Sequence, residues 1–218
     1  MFHFKNEIMK KNYTRFFILF LLFAGCNSAT QSPQSADVIM PLAVGNEWYY
    51  DVQYFNGATS GTEFDSLLIT SKHVVNGEER HVLWTGADMY YEGNALVTSF
   101  NGYGPFIWVK YPMPLGVPDI IDTFIYSTEQ SPDPIEEVQV ILTYLGNGFS
   151  VSTPSGTYST LKYEITTHGI STGIDYSKEY SYYGLNVGLV MKESYALDSV
   201  TNTPSLISRT RLRKCILK

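Results

Sequence analysis

The amino-acid sequence predicts an all-β fold, an antiparallel meander that forms a strongly curved sheet or partly open barrel, with a two-sheet β-sandwich as the alternative. Asn-Gly pairs recur at 56–57, 76–77, 101–102 and 147–148, and such pairs supply the positive φ angles of tight hairpin turns. The segments between them alternate with a period of two, and no helix-length window carries a clean apolar stripe. Because a large open sheet exposes its edges, we expect this sheet to curl or close.

The first strand is predicted over Glu47–Phe55. Trp48, Tyr50, Val52 and Tyr54 fall on one face of this segment, and polar side chains alternate with them, as a half-buried strand requires. The chain's 17 Tyr, 12 Phe and 3 Trp suit pleated, half-buried surfaces better than helices. We therefore expect Trp48 and Tyr50 to lie in the core.

The remaining strands follow from similar alternation and from the turns between them. They are predicted at 63–75, 79–85, 89–92, 96–101, 106–111, 123–127, 137–144, 149–152, 161–165, 177–183, 187–197 and 205–217. The segment Tyr111–Asp122 interrupts the pattern because it contains Pro112, Pro114 and Pro118, and proline cannot donate to an interior strand ladder. It is predicted to be a long loop that crosses one end of the sheet.

The amino terminus carries a targeting signal. Basic residues precede an apolar run, Phe16–Phe23, which Ala24-Gly25-Cys26 follows, and this run is much shorter than the roughly 20 residues of a membrane-spanning helix. The arrangement resembles a bacterial lipoprotein signal peptide with a lipobox. The resemblance implies cleavage after Gly25 and acylation of Cys26, with fatty acyl chains such as palmitate. We accordingly divide the chain into a signal peptide (1–25), a lipidated flexible tether (26–38) and a single β-rich domain (39–218).

The charge of the mature chain excludes some partners. Removal of residues 1–25 takes away four basic residues and one acidic residue, which leaves 11 basic and 20 acidic residues and a net charge of about −9. Nucleic-acid binding depends on cationic phosphate contacts, so no nucleic-acid partner is expected. The partner that the signal predicts is membrane lipid, held through acylated Cys26 in the cell envelope. The resemblance to such signals also implies that Asn27, rather than Asp, after the cysteine favours the outer over the inner membrane.

Three phrases of the mature domain also suggest a family. The opening Pro41-Leu42-Ala43-Val44-Gly45-Asn46-Glu47-Trp48 is similar to the start of many uncharacterised secreted or lipid-anchored proteins of Bacteroidota, in the pattern Pro-Leu-x-x-Gly-Asn-x-Trp. The segments 154–158 and 182–190 look like later elements of such domains. The resemblance implies a β-rich extracytoplasmic domain and transfers no functional residues.

No catalytic, cofactor or metal motif stands out. His73 and His81 flank the Asn76-Gly77 turn, but solvated side chains near a hairpin end are the simpler interpretation, and neither metal nor cofactor is expected. The carboxylate pairs Asp119/Asp122 and Glu136/Glu137 are expected to be surface acids. We therefore predict a non-enzymatic binding or structural lipoprotein. The alternatives are a carrier that shelters acyl chains or another apolar ligand in the curved sheet and, more distantly, a glycan-active hydrolase.

Aromatic residues give the candidate ligand site. They crowd the segment that leads into the proline-rich loop, where Tyr103, Trp108 and Tyr111 are the residues selected. Exposed rings beside a loop can stack on a glycan or on an apolar small ligand, although many of these rings are also needed to build a core.

The last strand contributes two further expectations. Arg209, Arg211 and Arg213 share one face and could grip an anionic partner, but we favour pairing with acids of neighbouring strands such as Glu193. With Cys26 acylated, Cys215 has no cysteine partner, and it is expected to be a small buried side chain in a terminal strand rather than a reactive thiol.

Overall fold

The computed structural model describes residues 37–55, 61–100, 103–126, 136–198 and 201–218. In these ranges the chain forms β-strands joined by turns and loops, with no helix, and therefore no helix that could cross a membrane. The strands are β1 (Glu47–Tyr54), β2 (Thr62–Val75), β3 (Glu78–Leu83), β4 (Asp88–Glu92), β5 (Ala95–Phe100), β6 (Tyr103–Lys110), β7 (Pro118–Tyr126), β8 (Glu136–Thr153), β9 (Gly156–Gly169), β10 (Asp175–Gly184), β11 (Gly188–Leu197) and β12 (Pro204–Ile216).

All strands belong to one antiparallel sheet that is nearly closed into a barrel. Its order is β6-β5-β4-β3-β2-β1-β12-β11-β10-β9-β8-β7, so each strand lies beside its neighbours in sequence, and the two ends of the chain pair with each other. The sheet edges are β6 and β7, which are consecutive in the chain and leave one unsealed seam. The predicted all-β, partly open barrel is confirmed, and the sandwich is not formed.

Side-chain contacts connect the two edges of the seam at the end next to Lys110. Lys110 Nζ lies 2.6 Å from Asp119 Oδ2 across it, and the Tyr163 hydroxyl donates to the Lys110 carbonyl at 3.0 Å. These contacts lie next to the 111–117 loop that connects the two edge strands.

The core lies inside the barrel and is rich in aromatic rings. Trp48 is 0% exposed and Tyr50 is also buried, which confirms the prediction for the first strand. Tyr163 packs between Tyr144 and Tyr183, at ring-centroid distances of 5.1 and 5.8 Å.

A buried asparagine ties the two ends of the domain together. The Asn46 side chain donates through Nδ2 to the Pro41 carbonyl at 2.8 Å, and its Oδ1 accepts the Lys218 backbone N–H at 2.8 Å. Gly45 has a positive φ of 89°, and a Cβ there would lie 2.9 Å from the Lys218 side chain. We call this arrangement the Asn46 clasp.

The segment before β1 plugs the barrel beside this clasp. Ile39 and Met40 are each 1% exposed, and the Tyr91 hydroxyl donates to the Met40 carbonyl at 3.0 Å. Trp48 Nε1 donates to the carbonyl of Val187, in the β10–β11 turn, at 2.5 Å. The segments 41–48 and 182–190, two of the three that resemble Bacteroidota proteins, therefore contact each other here and have a structural role.

The third phrase forms the tip of the β8–β9 hairpin, which folds over the outside of the barrel. Ser181 and Tyr183 line the interior, so Tyr182 points outward, and Val151 of the hairpin packs against it. Ser155 Oγ donates to the Leu212 carbonyl of β12 at 3.0 Å.

Two sequence predictions about turns are corrected. Asn147-Gly148 was expected to be a hairpin turn but lies inside β8, which joins two predicted strands, because Gly146 and Gly148 adopt positive φ angles at irregularities in the β8–β9 pairing. The long loop ends at residue 117 because Pro118 begins an edge strand, where no ladder donor is needed. The turn at 76–77 is confirmed, whereas 56–57 and 101–102 lie outside the described residues.

The arginine row of β12 belongs to the outer wall. Arg209 pairs with Glu193 of β11, with Nη2 2.7 Å from Oε1, which confirms the expected cross-strand pair. Arg213 lies 3.5 Å from Asp51. Arg211 Nε is buried without a hydrogen-bond partner among the described residues.

Cys215 lies half-buried in β12 and packs against the core. It is disulfide-bonded in this structure rather than free, so the expectation that it has no cysteine partner is wrong here. The chain has only two cysteines. If Cys26, which lies outside the described residues, is acylated, no second thiol of the chain is left to form a disulfide with Cys215.

Trp48→Ala should lower the free energy of unfolding by about 3–5 kcal/mol because it leaves a large cavity in the core. Urea denaturation of the mature domain measures this loss. Trp84→Ala is the matched control, since Trp84 is 58% exposed, and it should cost about 1 kcal/mol or less. Equal losses in the two variants would contradict the burial of Trp48.

Asn46→Ala should lower the free energy of unfolding by about 2–4 kcal/mol because the Pro41 carbonyl and the Lys218 N–H both lose their partner in a buried place. The exposed Asn94, whose side chain makes one hydrogen bond to the Pro112 carbonyl, provides the control Asn94→Ala. If Asn94→Ala lowers the free energy of unfolding as much as Asn46→Ala, in both thermal and urea unfolding, the Asn46 clasp is not a major contribution to the stability of the domain.

A candidate ligand cavity inside the barrel

The interior of the barrel contains a cavity of about 580 Å³ that is partly open to solvent, and every strand except β4 helps to line it. This volume lies within the range of small-molecule sites. The cavity reaches Trp84 and Thr85, which follow β3, and Phe100 at the end of β5. The residues of the Asn46 clasp and of the plug segment do not line it.

One half of the cavity wall is apolar and contains the seam. Ile107 and Trp108 line it from β6, and Ile121 lines it from β7, so apolar side chains stand on both sides of the unsealed edge. Val140 and Ile165 extend this surface onto β8 and β9. A ligand at the seam would contact almost entirely hydrocarbon and aromatic surface.

The other half of the wall is polar and faces the seam from across the barrel. Its residues come from β1, β2, β10, β11 and β12, which occupy the middle of the sheet; besides the apolar Leu67 and Leu189 they are Tyr50, Asp65, Ser66, Glu179, Ser181, Tyr183, Lys192 and Thr210. Glu179 accepts a hydrogen bond from Ser181 Oγ at 2.9 Å and lies 3.4 Å from Lys192 Nζ. The cavity is thus amphipathic, with its polar groups grouped on consecutive strands.

Two buried tyrosines bring phenol groups to this polar half. Burial raises the pKa of Tyr50 well above its ordinary value, and the nearby charge of Asp65 raises it further. Burial also raises the pKa of Tyr183, and the charge of Glu179 adds to the effect. The Tyr50 hydroxyl has no hydrogen-bond partner among the described residues. Both groups remain protonated and able to donate to a ligand at neutral pH.

The structure separates the three residues selected from the sequence. Trp108 lines the cavity. Tyr111 packs against the core cluster and is not among the lining residues. Tyr103 begins β6, but its side chain lies outside the described part of the chain. Ligand binding at these residues stays a prediction.

Sequence reasoning missed the polar wall. Asp65 shares the inward face of β2 with Leu67, two residues further along. Glu179 and Ser181 share the inward face of β10 with Tyr183. Polar residues at positions that share a face with core residues were the available signal. The signal could be read only after the inward face of each strand was known.

The histidines and acids of the described residues do not form a metal centre. The described part of the chain contains no cluster of three His, Cys, Asp or Glu side chains suited to a metal. His73 pairs in register with Arg80, and His81 with Lys72, so the two histidines occupy opposite faces.

The carboxylate pairs named from the sequence do not line the cavity. Asp119 is paired with Lys110 at the seam, and Glu137 is exposed on the outside. Glu136 accepts hydrogen bonds from Ser171, Thr172 and the Tyr176 hydroxyl, and hydrogen bonding by Thr172 is the main cause that lowers the pKa of this carboxyl. Glu136 therefore anchors the β9–β10 turn.

Comparison with known proteins supports the architecture. No family model matches the chain, and no curated protein matches it. A solved structure from Bacteroides fragilis NCTC 9343, provisionally described as an exported protein with a YmcC-like fold, has 15% identity and a TM-score of 0.54. One from Parabacteroides distasonis ATCC 8503, provisionally described as a lipoprotein, has 16% identity and a TM-score of 0.50. Each match covers 84% of this chain and 100% of the other, and at these identities it shows the fold alone.

The buried phenols predict a loss of stability in alkali. The unfolded chain releases the Tyr50 proton near pH 10, whereas the folded chain holds it to higher pH, so the free energy of unfolding should fall as the pH rises above about 10. One such group contributes a slope of about 1.4 kcal/mol per pH unit. Urea denaturation at several alkaline pH values should show a shallower slope for Tyr50→Phe and for Tyr183→Phe. A slope that neither variant changes would mean that these phenols ionise in the folded protein.

Proposed function

We propose that this chain is a lipid-anchored envelope protein that binds a small apolar ligand inside its barrel and has no catalytic activity. The amphipathic cavity that meets the unsealed seam is the observation that carries this proposal. Trp108, Val140 and Ile165 offer apolar surface on which a ligand would bury part of its own apolar area, as a carrier of apolar molecules requires. Glycan binding is less well supported, because a sugar has many hydroxyl groups to satisfy and the seam-side half of this wall is mostly hydrocarbon and aromatic surface.

The proposed anchor is acylated Cys26. The amino-terminal signal supports it, and both structural neighbours, described as an exported protein and a lipoprotein, agree with an envelope location. Residues 37–46 lie at the plugged end of the barrel, so the tether joins the domain there. We propose that this end faces the membrane, with the outer membrane favoured, and that the cavity opens away from it.

The proposed partners are therefore membrane lipid through Cys26 and one small ligand in the cavity. We propose no cofactor, metal or nucleic-acid partner. The net negative charge of the mature chain supports the last of these, and the carboxylates of the described residues are placed for ion pairing and turn anchoring rather than as a catalytic pair.

Cys26→Ser should abolish labelling by a fatty-acid analogue and release the protein from membranes. Cys215→Ser is the matched control and should retain both properties. Unchanged labelling of Cys26→Ser would refute the anchor. Intact mass and thiol titration of the membrane form give an independent readout, since a thioether at Cys26 cannot coexist with a disulfide between the chain's two cysteines.

The cavity can be tested with the neutral fluorophore N-phenyl-1-naphthylamine. The parent should enhance its fluorescence, and Val140→Trp or Ile121→Trp should weaken this effect at least tenfold by filling the cavity. Val74→Trp, at a position 69% exposed, should leave it unchanged. Circular dichroism confirms that each variant is folded. Ile121→Trp is the second variant because Ile121 lies on the edge strand β7, where the backbone can shift more easily to accept a larger side chain. A parent that does not bind the fluorophore would contradict the proposal.

A further inference from the structure

The inner face of β2 carries negative charge that no protein cation offsets. Asp65 lines the cavity, and Glu63 lies two residues away on the same face. Neither carboxylate has a Lys, Arg or His partner within 4.0 Å among the described residues. Asp65 Oδ1 accepts only the neighbouring Ser66 N–H, at 2.7 Å.

The cavity's own cation is engaged elsewhere. Lys192 is the only Lys or Arg among the described lining residues, and it is paired with Glu179 at 3.4 Å. The order β2-β1-β12-β11 places it three strands from Asp65, which corresponds to about 14 Å at about 4.8 Å per strand. The ammonium of Lys192 therefore neutralises Glu179 and leaves Asp65 uncompensated.

A buried phenol without a partner stands directly beside this carboxylate. Tyr50 pairs in register with Asp65, and both side chains line the cavity. Tyr50 is 6% exposed, and its hydroxyl has no hydrogen-bond partner among the described residues. A buried phenol usually finds a partner, and the Tyr50 hydroxyl stands beside the carboxylate of Asp65, a residue that is itself solvent-exposed.

An ammonium group fits this pair. It carries a positive charge and three N–H donors, so it can donate both to the Asp65 carboxylate and to the Tyr50 oxygen. A carboxylate ligand would meet Asp65 and Glu179 on the same wall and would have to compete with Glu179 for Lys192. The net negative charge of the whole chain further favours the approach of a cation.

We infer that the ligand is a cationic amphiphile whose primary ammonium group binds between Asp65 and Tyr50 and whose apolar body lies against the seam-side half of the cavity. This inference rests on the proposed function, since it requires that the cavity binds a ligand. It adds the chemical class of the ligand and the residues that recognise its head group. The apolar body contacts Trp108, Ile121 and Val140 across the barrel from the head group.

Displacement of N-phenyl-1-naphthylamine from the mature, full-length domain tests the inference. The competitors are dodecylammonium, dodecanol and dodecanoate, which share one chain and differ in head-group charge, used at low ionic strength and below self-association. Dodecylammonium should bind about tenfold or more tightly than dodecanoate, as expected for one hydrogen-bonded charge contact. Dodecanol should lie between them.

Variants then locate the head group. Asp65→Asn should weaken dodecylammonium about tenfold and leave dodecanol nearly unchanged, and Tyr50→Phe should weaken dodecylammonium as well. Glu137→Gln removes the same charge from an exposed, outward position and should change neither affinity. Because Tyr50→Phe breaks no hydrogen bond of the described structure, this variant should remain folded.

The outcomes separate the two proposals. Failure of the fluorophore to bind would refute the carrier function itself. Fluorophore binding combined with equal competition by all three amphiphiles, with tightest binding of dodecanoate, or with no effect of Asp65→Asn would overturn the cationic-ligand inference and leave the cavity function standing.

Discussion

The pairing of β1 with β12 is the constraint on which the rest of this structure depends. Without it the chain would form two separate meanders, β1–β6 and β7–β12, joined only by the 111–117 connection. Eight residues of β1 pair with β12, and the Asn46 clasp adds hydrogen bonds from the strand's entry to Pro41 and Lys218. These contacts join residues from opposite ends of the chain, so their loop-closure entropy must be offset by burial around Trp48. This explains why the Pro-Leu-x-x-Gly-Asn-x-Trp opening is structural.

Because the chain ends meet in the middle of the sheet, the edges fall in the middle of the chain. The seam between β6 and β7 is consequently bridged by the short proline-containing loop and by the Lys110–Asp119 pair rather than by a ladder of backbone hydrogen bonds. An edge left in this way usually invites pairing with another chain. In this barrel the two edges face each other, and apolar side chains from both strands line the space behind them.

The same strand order explains the polarity of the cavity. All the charged groups of the cavity come from β2, β10 and β11, and the side chains nearest the seam, from β6 to β9, are apolar or aromatic. A ligand that spans the barrel therefore meets hydrocarbon on one side and hydrogen-bonding groups on the other. Asp65 and Tyr50 sit side by side because they are register partners on the inward face of β2 and β1.

The sequence by itself determined local structure and the identity of the core strand. Alternation around Trp48 and Tyr50, the turn at Asn76-Gly77 and the pairing of Arg209 with Glu193 were all predictable, because each depends on neighbouring residues or adjacent strands. It did not predict that Gly146 and Gly148 lie within one long strand, or that Pro118 starts β7, because bulges and edge positions are set by what pairs with a strand. The tertiary structure alone decided which polar residues face inward. Glu179 and Lys192 lie on the two strands of one hairpin, but Asp65 is far from them in sequence, and only closure of the sheet places all three around one space with Trp108.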